Sequence, residues 1–254
     1  MSSYKISVKN LSKNFGNKQV LSNVNLNIKS GESIVIIGGS GTGKSVLIKI
    51  ISTLLQASSG VVAIDGKNIF NFNEKEKDQL MGKLGFLFQG SALFDSLTIW
   101  ENISFRLIHK NKISKQQARE IAIQKLKLVG LGERVADLYP SELSGGMQKR
   151  AALARCIATD PEIIFFDEPT TGLDPIMSSV ISNLIAENSR KLGATTITIT
   201  HDMHAARTIA DKVAMLYEGK IIWFGDVKDL DSSGNTYVDQ FIHGRGDGPI
   251  KLIV

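Results

Sequence analysis

The chain has 254 residues, 43% of them hydrophobic and 22% charged, which is the balance of a folded globular domain and excludes a disordered or fibrous chain. That length accommodates one α/β core with an inserted subdomain and requires no linker-joined second domain. The net charge of +5 is scattered, with no run of five or six like charges to suggest nucleic acid, and no stretch of about 18 apolar residues exists to span a bilayer.

Met1 to Asn10 alternates polar and apolar residues without the continuous apolar block of a signal peptide, so action at a membrane would rely on another chain. Tyr4 to Leu11 and Val20 to Ile28 read as strands around a turn at Phe15 to Lys18. Ile34 to Ile37 has the pattern of a strand buried on both faces. It stops at Gly38-Gly39, and a helix is expected over Lys44 to Leu55. Val61 to Phe70 reads as a hairpin turning at Asp65-Gly66, and Phe86 to Phe88 as a short strand. From there to about Asp160 the pattern is mostly helical, and one helix opens on a Ser114/Gln117 capping box. Strands return at Ile163 to Phe166, Thr195 to Thr200 and Val213 to Tyr217, with helices at Pro175 to Leu192 and Met203 to Ala210 between them. This order predicts a mostly parallel core sheet (residues 1–89 and 161–243), preceded by an antiparallel β subdomain and interrupted by a helical subdomain at 90–160. The tail 244–254 is Gly-rich, with Ile250, Leu252, Ile253 and Val254 as its apolar anchors. The single cysteine, Cys156, excludes an intramolecular disulfide and reads as a small core residue in a reducing compartment.

Gly38-Gly39-Ser40-Gly41-Thr42-Gly43-Lys44-Ser45 fits the P-loop pattern between a buried strand and a helix. Its glycines let successive N–H groups point inward around phosphate oxygens at a helix amino terminus. Lys44 then neutralises the β- and γ-phosphates and the Ser45 hydroxyl ligates Mg²⁺. The strand Ile163 to Phe166 ends in Asp167, a second Mg²⁺-organising acid, and Glu168 follows as a candidate general base for water. Alone, such an acidic pair is weak; beside a P-loop it points to ATP hydrolysis.

Leu143-Ser144-Gly145-Gly146-Met147-Gln148 reads as a helix start with Ser144 as N-cap and the dipole end exposed. With the P-loop and the Asp-Glu pair it resembles the signature of the ABC (ATP-binding cassette) ATPases, and further positions match in order along nearly the whole chain. The resemblance implies a cassette that pairs with a second copy of itself, so that Ser144, Gly145 and Gly146 of one subunit close over the ATP held by the other's P-loop. It also implies roles for Phe15 (stacking on adenine, against a plain turn-anchoring core residue), Gln89 (Mg²⁺ and water), His201 (γ-phosphate) and Gly172-Leu173-Asp174-Pro175 (a loop crossing to the partner).

An integral-membrane permease subunit is expected to dock near Gln89 to Trp100, where Leu93, Phe94 and Leu97 either bury a partner helix or pack the subdomain. The segments Ser40 to Val46, Ala92 to Ser96 and Ser144 to Met147 look like the Mla-type (Mce-associated) branch. That likeness implies phospholipid or related lipid as cargo, lipid-binding accessory proteins, a peripheral place on the cytoplasmic face of the inner membrane, and a tail that reaches the neighbouring cassette or stays disordered. A soluble iron–sulfur-assembly ATPase and a transporter of another substrate remain alternatives. A catalytically dead cassette is disfavoured because Lys44, Asp167, Glu168, Ser144 and His201 are all present.

Overall fold

The computed structural model describes residues 4–111 and 113–251. The N-terminal part holds β1 (Ile6–Phe15), β2 (Lys18–Ile28), β3 (Ser33–Ile37), α1 (Lys44–Ile51), β4 (Ser59–Ile64), β5 (Lys67–Asn68) and α2 (Glu74–Gly82). The middle holds β6 (Leu84–Leu87), α3 (Ile99–Asn111), α4 (Lys115–Leu128), α5 (Gly145–Cys156), β7 (Ile163–Asp167) and α6 (Pro175–Leu192). The chain then runs through β8 (Thr195–Ile199), α7 (Met203–Ile209), β9 (Lys212–Tyr217), β10 (Lys220–Asp226) and α8 (Thr236–His243). It forms two compact units. One runs through Lys77 and resumes at Ile197; the other is Asp78–Thr196.

In the first unit, β1 and β2 pair antiparallel with Ile6 opposite Ile28 and Val8 opposite Leu26, all four buried. Pairing shifts between Val8 and Leu11, where Asn10 takes φ 51°, and this bulge turns Leu11 inward again. β1 also pairs antiparallel with β4, and the strand order of this sheet is β2-β1-β4-β5. The β4–β5 turn is Asp65-Gly66, with φ 50° and 77°, the doubly positive geometry of a tight hairpin. The apolar run of β3 is fully buried, and the strand pairs in parallel with β9, which in turn carries β10 antiparallel. α1 is shorter than its apolar spacing predicts: it ends at Ile51, Thr53 takes φ 64°, and Leu54 is left 51% exposed.

The tail from Gly244 to Ile250 folds back on α8. Gln240 on that helix accepts from the Ile250 N–H (2.7 Å) and donates to its carbonyl (3.1 Å). Leu252, Ile253 and Val254 lie outside the described residues.

In the second unit, β6 and β7 pair in parallel and β7 lies between β6 and β8. Three helices, α3, α4 and α5, fall within the stretch expected to be helical. α4 opens on the Ser114/Gln117 capping box, with Ala118, Ala122 and Leu126 buried along one stripe. The fold is therefore α/β, with an antiparallel N-terminal sheet, parallel core pairs and an inserted helical segment.

Cys156 ends α5 in the core, and a side chain at Gly85 on β6 would come within 3.1 Å of its sulfur. Burial pushes its thiol up to about 12. At pH 8 roughly one thiol in 10⁴ is then ionised. The native protein is expected to resist maleimide or iodoacetamide at that pH and to label stoichiometrically in denaturant; rapid native labelling would show that the thiol is accessible.

Candidate functional site

The first unit carries the phosphate loop. β3 leaves its sheet at Gly38, whose φ is 146°; a Cβ there would lie 2.2 Å from the Leu216 carbonyl oxygen on β9, so no other residue fits. At the far end Gly43, with φ 105°, caps α1, and a Cβ would meet Leu21 and Val20 of β2 within 3 Å. No side chain caps α1, so its first-turn N–H groups face the loop with the positive helix end behind them. The Lys44 ammonium bends back over the loop, donating to the carbonyls of Gly38 (2.8 Å) and Gly39 (2.7 Å). Thr42 donates to the Gly39 carbonyl (3.0 Å), while Ser40, Gly41 and Ser45 are exposed.

Two more predicted residues sit in this unit. Phe15 ends β1 before a tight turn, and its ring is 48% exposed, with the Lys13 ammonium 4.9 Å from its centroid. His201 lies two residues past the end of β8, after Thr200, and is exposed. The backbone around it is fixed: the buried Thr200 hydroxyl accepts from the Asp202 N–H (3.0 Å), and Asp202 caps α7 through the N–H groups of His204 and Ala205.

The second unit carries the signature helix and the acidic pair. Ser144 N-caps α5, and Gln148 pins the entry to the helix by donating to the carbonyls of Pro140 (2.8 Å) and Leu143 (3.3 Å). Gly145 faces open space, whereas Gly146 is buried: a Cβ there would lie 2.8 Å from Cε and 3.1 Å from Cγ of Met177. β7 delivers Asp167 and Glu168, both half-buried, at its end. Glu168 turns the chain with φ 49°, a left-handed conformation that costs a β-substituted residue about 1 kcal/mol. Its carboxylate accepts from the Thr171 hydroxyl (3.2 Å). Asp174 then caps α6 through the N–H groups of Ile176 and Met177, with Pro175 at the first helical position, and Ile176 is left 79% exposed.

Gln89 follows β6, its carbonyl accepting from Lys149 of α5. The structure thus brings the Gln89 segment and the signature helix together within one unit. Beside them lies a groove of about 430 Å³ lined by Phe86, Phe88, Phe94, Phe105 and Arg155 among others. Of Leu93, Phe94 and Leu97, it is Phe94 that lines the groove; the other two are half-buried. Asn102 shapes the segment. Fully buried, it accepts from the Phe94 N–H (2.7 Å) and donates to the carbonyls of Phe94, Leu97 and Thr98.

Asn102, Lys149, Arg155, Thr171 and Met177 belong to none of the motifs that mark the site in the sequence. A polar residue in an otherwise apolar helix face is the one available signal for Asn102 and Lys149. The others have none, because their partners are set by packing.

The ABC transporter family model matches residues 21–171, a span holding the P-loop, Gln89, the signature and the Asp-Glu pair. The probable ribonucleotide transport ATP-binding protein mkl of Mycobacterium leprae is 41% identical over 97% of this chain and 71% of its own length. The intermembrane phospholipid transport system ATP-binding protein MlaF of Haemophilus influenzae is 39% identical over 97% of this chain and 93% of its own. A solved dimeric ATP-binding cassette, in a post-hydrolysis state with ADP and Pi, matches with a TM-score of 0.79 at 35% identity, covering 87% of this chain and 98% of that one. Local geometry, matched family span and near-full-length relatives agree, and the chain belongs to the ABC transporter family as one of its ATP-hydrolysing cassettes.

Proposed function

We propose that this cassette works as a pair with a second copy of itself, hydrolysing ATP to energise a separate membrane permease that moves phospholipid or a related lipid between envelope membranes. The observation that carries the ATPase chemistry is the uncapped α1 amino terminus behind a loop whose Gly38 and Gly43 admit no side chain, with Lys44 poised over it. Phosphate oxygens replace the Gly38 and Gly39 carbonyls as partners of Lys44, and the loop N–H groups from Gly39 to Ser45 hold the rest. The half-exposed Phe15 ring offers its face to adenine.

The Ser45 hydroxyl in the first unit, and the Gln89 amide and Asp167 carboxylate in the second, are each hard oxygen donors of the kind that would hold Mg²⁺, which commonly keeps one or two carboxylates together with waters and substrate phosphates. When bound, Mg²⁺ supplies charge neutralisation across the β- and γ-phosphates. Glu168 accepts the proton of the attacking water, its carboxylate oriented by Thr171. His201 contacts the γ-phosphate, and Ser144 with Gly145 and Gly146 offers N–H groups at the α5 amino terminus to the ATP of the second copy. ATP then holds the pair closed, and loss of the γ-phosphate removes those contacts.

The groove beside Gln89 supports the permease reading: it is aromatic, open and next to the segment that reports on the nucleotide. No helix among the described residues is long and apolar enough to cross a membrane, which fits a peripheral subunit on the cytoplasmic face of the inner membrane. The near-full-length likeness to MlaF supports lipid as cargo and lipid-binding accessory proteins as further partners. The test is affinity purification from detergent-solubilised native membranes, with identification of bound proteins and lipids. A multi-span permease with co-purifying phospholipid is expected; recovery of soluble assembly proteins alone overturns the transporter assignment and leaves the ATPase intact.

A further inference from the structure

Lys149 sits on α5, directly after the signature segment Leu143 to Gln148, and is 6% exposed. Among the described residues its hydrogen-bond partner is the Gln89 carbonyl, and no carboxylate pairs with it. Burial holds its ammonium below the ordinary lysine range. A buried cation with a single neutral acceptor is destabilising, and an apolar side chain of similar volume fills such a site at no loss of fold stability. Packing alone therefore gives no reason for lysine at this position.

The segment it grips is strained. Ser91 and Ala92 are consecutive non-glycine residues with φ 60° and 52°, a conformation that persists only where the surroundings over-determine it. Arg155, about 9 Å further along the α5 axis, supplies that constraint. Its guanidinium donates to the carbonyls of Ala92 (2.7 Å) and Ser91 (2.9 Å). Two cations of one helix thus hold three backbone carbonyls between Gln89 and Ala92.

We propose that Lys149 is a positioning residue for ATP hydrolysis: with Arg155 as the second anchor, it clamps the Gln89–Ala92 backbone to the signature helix, so that Gln89 and the signature move as one body. The kinetic part rests on the assignment of Gln89 to Mg²⁺ and water; the clamp itself does not. Because Arg155 also lines the aromatic groove, whatever fills that groove acts on the clamped segment through the same helix.

Lys149→Met removes the donor and keeps the volume. In hydrogen exchange, peptides covering 88–94 are expected to exchange about tenfold faster than in the parent while β7 and the rest of α5 keep their protection. Unchanged exchange in 88–94 overturns the clamp. In steady-state ATPase assays kcat is expected to fall about tenfold with KM for ATP within twofold, and the substitution is expected to be silent in a Gln89→Ala background, since no side chain is then left to position. Full multiplication of the two defects overturns the positioning role. If Gln89→Ala alone leaves kcat unchanged, the Gln89 assignment fails and the exchange result still decides the clamp.

Discussion

Glu168→Gln is expected to lower steady-state ATP turnover by about 10³-fold, within the span for loss of a positioned general base, while leaving ATP binding intact. Two features make the substitution specific. Gln is isosteric, and its amide oxygen still accepts the Thr171 hydroxyl, so the left-handed turn at Glu168 is kept. None of the groups assigned to hold the nucleotide (Lys44, Ser45, Phe15, Asp167) is touched. What is lost is proton acceptance from water. If ATP is what joins the two cassettes, blocking hydrolysis traps them. Size-exclusion chromatography with light scattering should then show the variant as a dimer in ATP and Mg²⁺ and as a monomer in ADP. A variant that remains monomeric with ATP and Mg²⁺ counts against the shared-site mechanism; one that still turns over at the parent rate removes Glu168 from the role of base.

The parts of this molecule that were legible in its sequence are those set by local chemistry. The continuous β-branched run of β3, the Ser114/Gln117 box of α4 and the Asp174-Pro175 start of α6 each specify an element from a few adjacent residues, and each appears as expected. α2 was not anticipated because it has no apolar stripe: Leu80 is its buried residue. A signal was nonetheless present. Asn73 and Glu76 form a reciprocal cap, each side chain accepting the other's backbone N–H at 3.0 Å, which is the capping-box logic with asparagine in the first place.

The end of α1 departs from expectation for the opposite reason. The apolar spacing continues through Leu54 and Leu55, but Ser52 bonds back to the Lys49 carbonyl and Thr53 leaves the helical region, a local competition that periodicity does not register. β10 and α8 lie outside the elements expected from sequence. For the functional residues, motif spacing gave the types and the order, while the couplings between them were hidden. Lys149 lies 60 positions from the carbonyl it binds, and no spacing rule connects Gly146 with Met177.

That second pair changes what the signature glycines are for. Read as sequence, Gly145 and Gly146 both serve close approach to a phosphate. In the structure they differ: a methyl group on Gly145 projects into open space, whereas one on Gly146 projects into Met177 of α6, inside the same unit. Gly146→Ala should by itself favour the helix by roughly 0.5–1 kcal/mol, because alanine is the better helix former. A loss of activity then comes either from the collision with Met177 or from the nucleotide side. The Met177 methyl can swing aside, but its Cγ lies 3.1 Å from the new atom, so the side chain must also give by a few tenths of an ångström where it packs against α5.

ATPase activity of Gly146→Ala is expected to fall by about tenfold, and Met177→Ala in the same chain, which empties the space, is expected to recover at least about half of the parent rate, the coupling expected of two residues in contact. Gly145→Ala is the internal control, since among the described residues no atom outside its chain neighbours and its own helix backbone stands within 4 Å of the added methyl; its defect should persist in the Met177→Ala background. Equal rescue of both would show a general loosening of α6. Rescue of neither would place the obstruction at Gly146 on the nucleotide side and return both glycines to the single role of admitting a phosphate. Rescue of Gly146→Ala alone assigns Gly146 to the seam between the signature helix and α6, a close approach that sets how the two helix starts pack within this unit.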